Sequence, residues 1–210
     1  MVELGTVWLL MMVLNQGGPA YLTADMAMDS FTLQDMMTVK ITTVGKVAMD
    51  LRPGQEKIWS DVIIREPNKP DRHVVVIIRF DTGQVIRLNP EKKTYAVKPL
   101  PKDNKLLAEI RDIYLGGADG KARAQTIAPP AGGAETRIVK QVRSDSYTTT
   151  FYVEPAKQNA VTRVDVSANN TDFKPNRTNF AVIESLTNVS LEAVPESRFM
   201  VPENQNYKPE

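Results

Sequence analysis

An aspartate followed by a hydroxylated residue and glycine, behind an apolar run, is how an aspartic protease presents a catalytic carboxylate. This chain carries that pattern once, as VVVIIRFDTG at 74–83, with Asp81 in the catalytic position. The chemistry needs a second carboxylate, because two must share one proton to activate water. No second Asp-Thr-Gly or Asp-Ser-Gly occurs in the 210 residues, so the partner would have to come from a symmetric dimer. Gln84 follows the motif, where a protease sets a small Ser or Ala. A simpler reading is structural. The motif lies between two strand-like runs, and a three-residue hairpin loop needs a residue such as Gly83 that takes positive φ cheaply. Asp81 is expected at a corner.

Other chemistry is thinly represented. There is no cysteine, which excludes disulfides, thiolate catalysis and a lipid-anchored cysteine. The single histidine, His73, opens an apolar strand and is expected at its solvent-tolerant end. Neither a Gly-x-Ser-x-Gly elbow nor a phosphate loop appears, and one histidine makes no metal pair. Ser144-Asp145-Ser146 reads as a turn, and Glu91-Lys92-Lys93 as a solvated charge cluster. The expectation is therefore a protein that is not an enzyme, with no cofactor and no metal. A net charge of +1 without a basic stripe argues against nucleic acid as a partner.

The elements that would hold these residues are mostly strands. From Tyr21 onward, apolar residues recur with period two. Leu22, Ala24, Met26 and Met28 fall on one side of a first strand, and Met37, Val39 and Ile41 on one side of a second. Val47, Met49 and Leu51 do the same in a third. One apolar and one polar side is the mark of an antiparallel sheet with one solvated face. Further strands are expected at 57–65, 73–80, 84–89 and 93–98, then at 136–143, within 144–155, at 160–167 and 180–189, with a short one within 118–135. A helix interrupts them. Asp103 can cap it, Leu106, Ile110 and Ile113 form its apolar stripe, and Gly116-Gly117 ends it. An open sheet of about ten strands must curl or close. The fold expected is mainly β: a curled antiparallel sheet forming a half-open barrel, covered by one or two helices.

Residues 1–20 differ in character from the rest of the chain. Val7 to Leu14 is a short apolar block ahead of Gly18-Pro19-Ala20, too short to span a bilayer but suited to a signal peptide cleaved near Ala20. The amino-terminal part carries Glu3 and neither Lys nor Arg, which departs from that pattern. The organisation expected is a signal peptide at 1–20 and a single domain at 21–210, with no membrane span in the mature chain.

The stretch VVVIIRFDTGQVIRLNPEKKTY at 74–95 resembles the pattern apolar-x-Arg-x-Asp-x-Gly, then Leu-Asn-Pro-x-x-Lys-x-Tyr, of exported bacterial proteins with the LolA/LolB-like fold. The end, NVSLEAVPESRFMVPENQNYKP, resembles their closing motif. Asp81, Leu88, Asn89, Pro90, Tyr95, Phe199, Pro202 and Tyr207 carry the likeness. It covers the chain from about Tyr21 to the end, apart from residues near 116–145, and points to the uncharacterised members rather than to the lipoprotein carrier itself.

The resemblance implies a half-open barrel whose apolar concavity holds a lipid or a lipoprotein acyl chain in the periplasm of a Gram-negative bacterium. Acyl chains need apolar walls, and methionine adapts to a disordered ligand. The wall residues expected are Met26, Met28, Met37, Val39, Met49, Val76 and Ile78, with Leu106, Ile110 and Ile113 on the covering helix. The alternative is an envelope module with a filled core that senses stress or binds a protein partner.

Overall fold

The structure is a computed structural model and describes residues 19–34, 37–52, 54–100, 123–127, 137–143, 147–158, 160–168 and 181–210. The segment 1–18 and the helix expected between Asp103 and Leu115 lie outside the described residues.

Among the described residues, twelve strands join in one sheet. They are β1 (Tyr21–Gln34), β2 (Met37–Asp50), β3 (Lys57–Arg65), β4 (Arg72–Arg79), β5 (Gln84–Asn89) and β6 (Thr94–Pro99), followed by β7 (Arg123–Ile127), β8 (Arg137–Arg143), β9 (Tyr147–Glu154), β10 (Ala160–Ala168), β11 (Ala181–Ser190) and β12 (Lys208–Pro209). Their order is β12-β6-β5-β4-β3-β2-β1-β11-β10-β9-β8-β7, which leaves β12 and β7 as edges. The sheet is mixed rather than wholly antiparallel, because β12 pairs parallel with β6. Helical structure among the described residues is confined to 3-10 turns at Pro155–Lys157, Glu196–Phe199 and Glu203–Gln205.

The chain divides into two compact units. Among the described residues, one comprises 19–26, 43–100 and 187–210; the other comprises 27–42 and those between 123 and 186. The first, called the tail unit below, contains β3 to β6 and the carboxy-terminal segment. The second contains β7 to β10.

Two expectations need correcting. Residues 37–42 and 46–52, expected as separate strands, belong to one strand, β2. Ile41, Thr43, Val47 and Met49 are all buried and share a parity, so the alternation never breaks. Gly45 between them marks a close approach rather than a turn. A Cβ there would meet the Asp61 carbonyl oxygen and lie 2.7 Å from the Val62 Cα. The second correction concerns the solvated face. In the tail unit Ala48 and Asp50 are buried as well as Val47 and Met49, so both sides of β2 are covered at that end.

Carboxy-terminal residues cover one face of the neighbouring strands β4 and β5. Phe199, with no exposed surface, packs with Val75, Ile77, Ile86 and Leu88. Trp59, Tyr95, Val194, Val201 and Tyr207 pack around this cluster. Lys208 and Glu210 donate backbone N–H bonds to the carbonyls of Lys93 and Tyr95 (each 2.9 Å), which pins the end of the chain to β6. The continuous apolar run at 74–78 thus reflects burial of both faces of β4.

Candidate functional site

The Asp-Thr-Gly motif is the corner of the β4–β5 hairpin. Arg79 pairs with Gln84, leaving a four-residue connection at 80–83, one residue longer than expected. The extra residue is Phe80, whose N–H bonds to the Glu56 carbonyl (3.1 Å) instead of to β5. Gly83 has φ +66°, the left-handed conformation the loop requires. The Asp81 carboxylate accepts hydrogen bonds from Arg79 and lies 3.8 Å from Lys57 Nζ. Those Arg79 bonds hold its carboxyl below the usual range, against the opposing effect of burial. Glu196 joins from the tail, 2.8 Å from Lys57 and 3.4 Å from Arg79. This is an ion-pair network that clamps the tail to the sheet.

The expected apolar wall divides between the two units. Val76 and Ile78 stand opposite Ser60 and Ile58 across the β3–β4 ladder, and Ile78 stands opposite Val85 on β5. Asp50 lies 3.9 Å from Lys57, on the other face of β3 from Ile58, so Met49 falls on the Val76 side. Arg52 bonds Asp50 and lies over the Tyr21 ring, which places Met26, of opposite parity to Tyr21, on that side too. Met26, Met49, Val76 and Ile78 are all at most 3% exposed. Met28, also buried, and the half-buried Val39 belong to the second unit. The side chain of Met37 and the whole of Leu106, Ile110 and Ile113 lie outside the described residues.

Two hydroxyls on the tail unit's Met49–Val76 face were not anticipated. Ser60, 1% exposed, sits directly opposite Val76, and its Oγ has no hydrogen-bond partner. Thr43, of the same parity as Met49 on β2, is fully buried and its Oγ1 is likewise unpartnered. A buried polar group left unbonded costs about 1–3 kcal/mol. In the sequence these are merely two small polar residues within apolar alternation. Their location is what makes them unusual.

The opposite face of the tail unit holds a cleft of about 560 Å³ between β3–β5 and the carboxy-terminal segment. Lys46, Asp61, His73, Lys93 and Arg198 are its charged or titratable lining, with Trp59, Tyr207 and Met200 among the apolar contributors. His73 is the second residue of β4, near the strand end where it was expected. Its Nε2 lies 2.6 Å from Asp61 Oδ1. The cleft brings together residues more than a hundred positions apart, which the sequence does not place side by side.

Comparison with solved structures locates the fold. A conserved uncharacterised protein from Thermus thermophilus superposes with a TM-score of 0.50 at 9% identity, covering 98% of this chain and 97% of its own. This likeness shows a shared fold. A LolA superfamily protein from Nitrosomonas europaea aligns at 8% identity with a TM-score of 0.28, over 94% of this chain and 96% of its own. A DUF1329 family protein from Desulfovibrio piger does so at 8% and 0.26, over 95% and 97%. No family model matches the sequence, and no curated protein does.

Proposed function

We propose that the chain is an exported, non-catalytic binding protein that receives the acyl chain of a lipid or lipoprotein against the Met26–Met49–Val76–Ile78 face of the tail unit. In this reading the sheet half closes around that face, as in the LolA-like proteins its motifs resemble. The observation that carries the proposal is the pair of orphaned hydroxyls, Ser60 Oγ and Thr43 Oγ1, within an otherwise apolar surface. Lipid-binding walls combine broad apolar area with a few polar groups that fix orientation. An ester or amide carbonyl at the head of an acyl chain supplies the acceptor those hydroxyls lack. Methionine stems at positions 26 and 49 conform to a chain without fixed shape.

The near-complete burial of these residues favours a second reading, in which the core is filled and the molecule is an envelope module for a protein partner. Mass spectrometry of organic extracts from native purified protein, with titration of a fluorescent fatty-acid ester, separates the two. Co-purified lipid, saturable binding and weaker binding by Ser60→Ala at equal or higher stability are expected. Absence of both lipid and saturable binding would leave only the filled-core reading.

A further inference from the structure

The cleft on the opposite face is independent of the acyl surface and has a different chemistry. Its lining brings three cations, Lys46, Lys93 and Arg198, against one carboxylate, Asp61. Elsewhere in the tail unit, cations are commonly matched: Arg52 to Asp50, Arg65 to Asp71, Lys69 and Arg72 to Glu66, Lys57 and Arg79 to Asp81 and Glu196. Two of the three cleft cations sit on rings instead. The Arg198 guanidinium lies 4.7 Å from the Trp59 ring centre, and Lys93 Nζ lies 5.2 Å from that of Tyr207. A cation held on an aromatic face keeps its N–H donors available, and a guanidinium presents them as a fork suited to an oxyanion. Asp61, the one opposing charge, is engaged by His73 at 2.6 Å. Phe199, fully buried next to Arg198, fixes the segment that carries the guanidinium.

We propose that this cleft is a binding site for a phosphate group carried on a small molecule or a lipid headgroup. Three cations suit a doubly charged oxyanion, and the volume lies within the range of small-ligand sites. The exposed Met200 gives the cleft an apolar rim for the body that bears the phosphate, above the buried Val75 and Leu88 of its lining.

The test is calorimetric titration of the full chain with inorganic phosphate and, separately, with monomeric dihexanoyl phosphatidic acid at low salt. Arg198→Gln and Lys46→Gln should each weaken binding by about tenfold or more, as loss of a charged hydrogen-bond partner does. Thermal melts of both variants should match the parent, since neither residue is buried. Arg65→Gln, which removes a cation outside the cleft, should change nothing. Saturable binding of inorganic phosphate assigns the site to free phosphates or their esters; binding of only the phosphatidic acid, weakened by Arg198→Gln and unchanged by Ser60→Ala, assigns it to a headgroup resting on the apolar rim. Failure of both probes to bind, or binding indifferent to Arg198→Gln and Lys46→Gln, overturns the proposal. Neither result bears on the acyl surface, whose probe and whose Ser60 variant are separate.

Discussion

Asp81 accepts two hydrogen bonds from the guanidinium two residues before it, from Arg79 Nη2 at 2.7 Å and from Nε at 3.2 Å. A carboxylate held this way serves as a hairpin clamp. Asp81→Asn should leave ligand binding unchanged and cost no more than about 1 kcal/mol at neutral pH, the upper range for such exposed pairs. Its acid behaviour should change as well. The folded carboxyl titrates below its ordinary value, so its stabilisation is complete above the unfolded pKa and is lost as pH falls through the folded one. Urea denaturation at pH 7 and near pH 3 should show the difference between parent and variant narrowing in acid. A loss of binding with an unchanged fold would contradict the structural role.

Gly45 lies within β2, where glycine weakens a strand unless a neighbour comes close. The neighbour is the backbone of β3 at Asp61 and Val62, which cannot rotate away as a side chain could. Gly45→Ala should therefore destabilise by about 2 kcal/mol or more, as overpacking does. A thermal melt equal to that of the parent would show that the strands part freely there.

How far the sequence reveals this molecule depends on the range of the interaction. The spans of β3 to β6 could be read closely, because their alternation and the Asp81–Gly83 and Pro90–Lys93 turns are local signals. The side of the sheet facing solvent could not. The apolar residues at 74–78 are covered on one face by Phe199, more than a hundred residues away. Site residues followed the same rule. The burial of Met26 and Met49 follows the period-two alternation of their strands, whereas Ser60, Thr43 and the cleft cations gain meaning only from their neighbours.

Phe199 is the residue whose loss should separate the tail from the sheet. It is fully buried against Val75, Ile77, Ile86 and Leu88, and Lys57 Nζ lies 6.0 Å from its ring centre. Phe199→Ala should cost about 3–5 kcal/mol, the usual range for removing a core phenylalanine. Because Arg198 is exposed beside it, tryptic cleavage at that bond should accelerate in the variant. Equal cleavage rates would mean that the β12–β6 pairing and the Glu196 ion pairs hold the tail without it.

Glu184 offers the clearest pH signature. It stands opposite Val164 across the β10–β11 ladder, is 2% exposed, and leaves its Oε2 without a partner. Burial pushes its carboxyl up to about 8. The unfolded chain's glutamate ionises near ~4.3, so between about 4 and 8 the folded form holds a proton that the unfolded form has released. Folding then becomes less favourable as pH rises, by up to ~1.4 kcal/mol per pH unit, and the loss levels off above the folded pKa. Glu184→Gln removes the ionisation while keeping the shape. The variant should be as stable as the parent near pH 4 and more stable at pH 8. Measuring urea denaturation of both proteins across that range isolates this group, because the two chains differ only there. A gap that fails to widen with pH would mean that the buried carboxylate ionises without penalty, and so has water or a cation beside it.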